Sequence, residues 1–315
     1  TPLYSSAASD VYKRQIYQSV ERDSFAPGEY YNLTGYYLAQ EDPNIERIFL
    51  RIRWYDANGT VISQQETSVS PSGEDSSNIT KMLPLETLCV HFIDVGQGDS
   101  ILIDLDETEV LIDGGGKSSG VVEYLANCVE DGELEVMVAT HPHADHIRGL
   151  IAVLDAFEVT QIWLNGDTAT TQTHAEFMAA VNSEEAEVHN ATRGDQINAG
   201  NLTFMVLNPV DLSGSTNDNS IVLSLSYGDV DFLFTGDAGE EAEASMISAG
   251  VLNDTDILKV GHHGSQSASS QNFLEVVQPE VAIIMVGEGN QYGHPHDETI
   301  GRLNAIGAEI YRTDF

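Results

Sequence analysis

The chain has 315 residues, 41% of them hydrophobic, enough for one large domain and a smaller one. Fifty Asp and Glu face thirteen Lys and Arg, a formal charge of −37, so the surface repels polyanions and lacks the basic composition of a nucleic-acid track. No stretch approaches the roughly 20 apolar residues a membrane helix needs, and no membrane span is expected.

Residues 1–15 show neither a helical nor a strand period and read as a non-native or disordered leader. The chain opens on Thr1 rather than Met and reads as a fragment, so the absence of a secretory signal here decides little. From 16 to 70 the signals are β. Ile48, Leu50, Ile52 and Trp54 alternate with Phe49, Arg51, Arg53 and Tyr55, and Asp56 to Gly59 supplies a turn before a return strand at Thr60. A small β-sandwich of immunoglobulin-like kind is expected there. It holds no histidine, which suits a binding or spacer role. Residues 71–86 read as a linker, rich in Ser, Gly and acidic residues at their start.

From 87 to 315 short apolar strands alternate with helical stretches, the pattern of a layered α/β domain. Strands are expected at Val136 to Ala139, Gln161 to Leu164, Leu202 to Leu207, Ile221 to Ser226, Asp231 to Thr235, Asp256 to Val260 and Val281 to Val286. Helices are expected at Ile147 to Phe157, Gly239 to Ala249, Gln271 to Val277 and Asp297 to Ile306. Cys89 and Cys128 are the two cysteines, with no CxxC; a pair of buried thiols and a disulfide both remain open.

All ten histidines fall after residue 90, and seven of them lie in three clusters just past strand-like runs. Strand ends are where a rigid scaffold presents functional groups. The first cluster is His141-Pro142-His143-Ala144-Asp145-His146. Three imidazoles and a carboxylate in six residues are too polar to bury unpaired, and their chemistry suits zinc, manganese or iron. Such a loop can give two ligands to one ion and two to its neighbour. Asp237, in Thr235-Gly236-Asp237, ends a later strand as a candidate bridging carboxylate. In Gly261-His262-His263-Gly264 the adjacent histidines point in different directions, so one can hold metal while the other faces substrate. His294 and His296 form the third cluster.

HPHADH, then TGD, then GHHG resembles the metallo-β-lactamase superfamily. Asp94-Val95-Gly96-Gln97-Gly98-Asp99-Ser100, Ile112-Asp113-Gly114-Gly115-Gly116, Asn217-Asp218-Asn219-Ser220 and Tyr311-Arg312-Thr313-Asp314 resemble, more narrowly, the C-terminal hydrolase domain of ComEC competence proteins and its free-standing relatives. The resemblance implies an αββα sandwich with the metals at one edge, following the small β-sandwich module. It implies two divalent ions, zinc, manganese or iron. His141 and His143 would bind the first, Asp145 and His146 the second, Asp237 would bridge, and His263 would complete the second site. His263 is preferred to His262 because it takes the place of the histidine in the related strand–GHG turn. Asp113 and Asp94 would stand behind the ligands and orient them. The superfamily usually supplies a third histidine to the first metal from the loop before TGD; residues 208–220 have none, and Asn219 is the expected stand-in. Domains of this kind usually continue by a strand or two past the YRTD motif, so a truncation after Phe315 is expected.

The function implied is a metal-dependent hydrolase that activates water between two ions. ComEC-like domains are regarded as nucleases, which makes a phosphodiester the first substrate class. Asp145 would orient the nucleophile, and His262 or His294 would steady substrate oxygens or protonate the leaving group. The acidic balance favours a small or short phosphodiester over long DNA. A phosphorylcholine-esterase-like activity, a lactone or ester hydrolase, and a metal-binding module without turnover are the alternatives. No obligate protein partner is evident. The β-module and the acidic surface favour an extracellular or cell-surface location.

Overall fold

The computed structural model describes residues 49–55, 61–68, 88–129, 131–212 and 214–314. The leader at 1–15, the linker at 71–86 and most of the expected β-sandwich module lie outside these residues. Of that module the structure shows one antiparallel pair, β1 (Phe49–Tyr55) with β2 (Val61–Ser68), where the alternation placed a strand and its return.

Two sheets follow. β3 (Cys89–Phe92), β4 (Ile101–Asp104), β5 (Glu109–Ile112), β6 (Glu133–Ala139), β7 (Glu158–Leu164) and β8 (Glu187–Asn190) form a six-stranded sheet in chain order. Its first three strands are antiparallel; from β5 onward the pairing is parallel. β9 (Gln196–Ala199), β10 (Leu202–Asn208), β11 (Val222–Tyr227), β12 (Val230–Phe234), β13 (Ile257–Lys259), β14 (Val281–Ile284) and β15 (Glu309–Arg312) form a seven-stranded sheet. It changes from antiparallel to parallel at β12. Parallel strands need a covered crossover, and the helices supply it. α1 (Val121–Leu125), α2 (Ala144–Ala156) and α3 (Gln172–Ser183) share an apolar cluster with the six-stranded sheet. α4 (Glu240–Ala249), α5 (Gln271–Val277) and α6 (Asp297–Ile306) share another with the seven-stranded sheet.

The main core lies between the sheets. Val90, Ile103, Val110, Val136 and Val138 from one meet Phe204, Leu223, Phe232, Phe234 and Ile283 from the other, all buried. This is the expected αββα sandwich. Among the described residues no helix is long and apolar enough to cross a membrane.

Close backbone approach places α2. A Cβ on Gly149 would sit 1.8 Å from the Gly114 carbonyl oxygen, so only glycine lets this helix lie on the loop after β5. That contact brings His146, three residues earlier, to Asp113. Gly149→Ala is therefore expected to destabilise the chain by about 1–3 kcal/mol and to loosen the His146–Asp113 contact. The denaturation midpoint checks this; an unchanged midpoint would show that α2 can retreat freely.

A second consequence lies at the other end of the six-stranded sheet. Burial raises the Glu109 carboxyl, and Glu135, Asp104 and Asp131 add to it, so it is pushed up from 4.5 to about 8. The folded chain keeps a proton there that the unfolded chain releases, so this contribution to stability is full at low pH and lost as pH climbs through the folded value. In buffer free of divalent cations, Glu109→Gln should show a flatter melting temperature between about pH 5 and pH 8 than the parent. Equal slopes would contradict the assignment.

Candidate metal centre

The functional residues stand where strands of both sheets end. β6 runs into Thr140 and His141, and His143 caps the start of α2, so Asp145 and His146 occupy its first turn. β5 runs into Asp113. From the other sheet, β12 runs into Asp237, and β13 runs into the 3-10 turn Gly261–Gly264 that carries His262 and His263.

Asp237 is at the middle. Its Oδ2 lies 3.3 Å from His146 Nε2 and 3.6 Å from His141 Nε2, while Oδ1 lies 3.6 Å from His263 Nε2. His263 Nε2 also stands 3.5 Å from Asp145 Oδ2. Overlapping donor groups result, among them His141–His146–Asp237 and Asp145–His146–His263, each with its atoms within 4.8 Å of one another. The Nε2 atoms of His146 and His263 and Oδ1 of Asp237 are buried without a hydrogen-bond partner among the described residues. Unsatisfied buried donors and acceptors are costly, and a cation coordinated by them removes the cost. The donor set fits divalent metal.

Each buried imidazole is held from behind. Asp113 accepts from His146 Nδ1 at 2.8 Å and from the Thr140 N–H and hydroxyl at 2.8 and 2.7 Å. His263 Nδ1 meets the Met285 carbonyl oxygen at 2.9 Å and Asp99 Oδ1 at 3.3 Å. Those contacts leave both Nε2 atoms facing the centre. Asp113, His262 and His263 have φ of 58°, 48° and 55°, left-handed conformations that cost non-glycine residues free energy and collect at functional sites.

Charge follows the same geometry. Burial opposes the charged form of Asp237, yet His263 and His146 hold it well below the ordinary carboxylate range. Burial works against protonated His263, but Asp237 and Asp99 outweigh it and raise it to about 9. Asp237 and Asp113 likewise raise His146 against burial, whereas burial, then the charge on His146, lowers His141. Asp145 resists its own burial through His263 and His146 and stays well below its usual value.

His141, Asp145, His146, Asp237 and His263 are thus brought together. His143 is exposed and meets His141 Nε2 through Nδ1 at 3.0 Å. His262 sits at the rim, with its Nε2 3.8 Å from Asp237 Oδ2 and a quarter of its side chain exposed. Its ring centroid is 5.5 Å from that of His294. Burial, then His262, pushes His294 down to about 4, so its imidazole is neutral near pH 7. The Asn219 amide nitrogen donates to Asp167 Oδ2 at 2.7 Å.

Asp94 is placed elsewhere than expected. Its carboxylate accepts from the Gly96 N–H at 3.0 Å and closes a turn. Asp99, five residues on in the same motif, stands behind His263 instead and forms an ion pair with Lys259. Lys259 is 1% exposed and donates to the Gly236 carbonyl at 2.8 Å. Sequence reasoning did not single it out. The available signal was a lysine inside the apolar run Ile257-Leu258-Lys259-Val260, where only a partner makes a buried ammonium tolerable.

ComE operon protein 3 of Bacillus subtilis is 29% identical over 245 residues, covering 71% of this chain and 32% of its own length. Recombination protein 2 of Haemophilus influenzae is 30% identical over 239 residues, covering 74% of this chain and 28% of its own. The chain thus spans about a third of the length of these curated relatives. In fold it is similar to CmlA, a diiron beta-hydroxylase from Streptomyces venezuelae, with a TM-score of 0.50, 11% identity and coverage of 73% of this chain and 53% of that one. The family model described as "Metallo-beta-lactamase superfamily" matches residues 93–288, from the end of β3 past β14 and so across every strand end that builds the centre; the chain belongs to that superfamily.

Proposed function

We propose that this member of a hydrolase superfamily cleaves phosphodiester bonds, with two divalent ions held by His141, His143, Asp145, His146, Asp237 and His263. The observation that carries the reading is the convergence of buried, unpartnered Nε2 atoms of His146 and His263 on the two oxygens of Asp237. When bound, the ions supply the positive charge that lowers the pKa of water toward about 7 and offsets charge on phosphoryl oxygens. Asp237 presents one oxygen to His141 and the other to His263, the disposition a bridging carboxylate needs. Asp145 is the partly open carboxylate of the group and orients the attacking water by accepting its hydrogen bond. His262 and His294 line the open side and hydrogen-bond the substrate oxygens; His294 does so as a neutral imidazole. The phosphodiester class is supported by the similarity to competence and recombination proteins.

Activity of metal-loaded protein on phosphodiester, phosphomonoester and carboxylic-ester substrates tests the reading. Hydrolysis of the ester alone would replace it with the ester-hydrolase alternative, and none at all with the metal-binding module.

The ligand sets differ in strength. One side has an exposed His143 and an Asn219 engaged with Asp167, while the other has buried His263 with its own support. During chelator titration one ion should therefore leave well before the other. Simultaneous loss of both would oppose unequal sites. Asp145→Asn should lower turnover by about 100-fold or more. His263→Ala should cost metal content, whereas His262→Ala should keep the metal and lose turnover. The reverse pattern would exchange the roles of the two histidines.

Substrate size follows from the cations. Lys259 is buried against Asp99, Arg302 donates to the carbonyls of Gln266, Ala268 and Ser269, Arg193 to that of Leu207, and Arg312 pairs with Asp314. Among the described side chains that leaves Lys117 and Arg148, the latter donating to Thr173 and facing Glu176, to meet a phosphate backbone. A small phosphodiester should be cleaved at least as efficiently per bond as duplex DNA, and added salt should help cleavage of DNA by screening repulsion. Rates on both substrates across ionic strength check this; fast DNA cleavage that salt suppresses would restore the long polymer as substrate.

A further inference from the structure

Cross-strand pairing builds a row of polar side chains at the opposite end of the six-stranded sheet. Cys89 of β3 pairs with Asp104 of β4, and Asp104 pairs with Glu109 of β5. Val90, Ile103 and Val110, the neighbours of these three, lie in the core between the sheets. By strand alternation the row therefore points to the outer, helix-covered face. His91, two residues after Cys89, shares that face, and α1 sets Tyr124 against it. Glu109 opens β5 and Asp113 follows its end, so the row lies about 13 Å along the strand from the histidine centre.

One ligand atom from each of Cys89, His91 and Asp104 lies within 4.8 Å of the other two. His91 is 4% exposed. Its Nδ1 meets the Tyr124 hydroxyl at 2.9 Å, with the rings edge-on at 81°. That contact fixes the ring and turns Nε2 toward Asp104, whose Oδ2 is 3.8 Å away. This is too long for a hydrogen bond. It is close to the roughly 3.3–3.8 Å between donors that share one tetrahedral zinc ion, given metal–ligand bonds of about 2.0–2.3 Å. A hydroxyl behind one ring nitrogen while the other faces outward is the arrangement that orients a metal-bound imidazole.

An independent observation concerns the field at this place. Glu109, across from Asp104, is 5% exposed. Glu135 and Asp131 add negative charge beside it. A divalent ion next to Asp104 would offset the negative charge that Asp104, Glu135 and Asp131 gather around the protonated Glu109.

We propose that Cys89, His91 and Asp104 form a second, separate metal site that takes one zinc-class divalent ion. A thiolate and an imidazole favour zinc over magnesium or calcium. Binding releases the thiol proton to solvent and forms the sulfur–metal bond, with no change of oxidation state. The ion would tie the edge strand β3 to β4 under Tyr124.

The thiol makes the site separable from the histidine centre, whose donors are nitrogen and oxygen only. The full chain is loaded with cobalt(II), and its near-ultraviolet absorption is recorded. A sulfur-to-cobalt charge-transfer band is expected. Cys89→Ser should abolish it and lower the metal content by about one ion per chain, while Cys128→Ser should keep it. Asp104→Asn retains the thiol and should weaken cobalt binding at the band by about tenfold or more. Loss of the band should leave hydrolysis by the histidine centre in place, so failure here and failure of the phosphodiesterase reading are told apart. No charge-transfer band in the loaded parent, a band that survives Cys89→Ser, or unchanged cobalt affinity in Asp104→Asn would each overturn the proposal.

Discussion

The arrangement depends on one buried ion pair, Asp99 with Lys259. Asp99 belongs to the loop between β3 and β4 in the six-stranded sheet, and Lys259 ends β13 in the seven-stranded sheet, so the pair joins the two halves beneath the candidate centre. Both are at most 1% exposed. Burying either charge alone costs several kcal/mol, and breaking such a pair from one side typically costs about 3–5 kcal/mol. The same carboxylate reaches His263 Nδ1, and the Lys259 ammonium also holds the Gly236 carbonyl next to Asp237. A change in how the sheets stack would therefore move His263 and Asp237 together.

That coupling explains how strained backbone persists at the centre. His262 and His263 both adopt left-handed conformations within four residues bounded by glycines, and Asp113 does so at the end of β5. Each position costs free energy of order 1 kcal/mol or more unless the surroundings hold it. Here they do: the His262 N–H donates to the Gly236 carbonyl, Met285 receives His263, and Thr140 clamps Asp113 with two hydrogen bonds. The strain aims side chains that an ordinary strand end would spread apart.

Much of this was legible in the sequence because it is local. HPHADH carries four candidate ligands in six residues, and the apolar runs before it and before GHHG mark strand ends whatever the tertiary fold. The helices at Gln271–Val277 and Asp297–Ile306 were read from their periodicity with the bounds the structure shows. The short polar strands β8 and β9 gave no such signal: Glu187–Asn190 and Gln196–Ala199 are too short and too polar to alternate clearly. What escaped at the centre is non-local. Asp94 and Asp99 share one motif and one residue type, and only the fold shows that the first caps its own turn while the second meets residues more than 150 positions away. Asn219 sits in the right loop, but its neighbour across the gap, Asp167, comes from the other sheet. The cysteine–histidine–aspartate triad is likewise a product of strand register, since Asp104 joins Cys89 only through the β3–β4 pairing.

Division of the centre between two sheets also ties metal to folding. Asp113, His141, Asp145 and His146 come from the six-stranded half, Asp237 and His263 from the seven-stranded half. Without an ion, the apolar layer between the sheets and the buried pairs alone hold like charges close: Asp99, Asp113 and Asp237 stand around His146, each with a carboxylate oxygen within 4 Å of it. A bound cation would turn that repulsion into attraction across the interface, so any ion that prefers the folded chain must stabilise the stacking of the sheets as well as complete the chemistry. The candidate centre is thus a joint of the fold, and the constraint that makes it expensive to build is also what keeps its donors aimed.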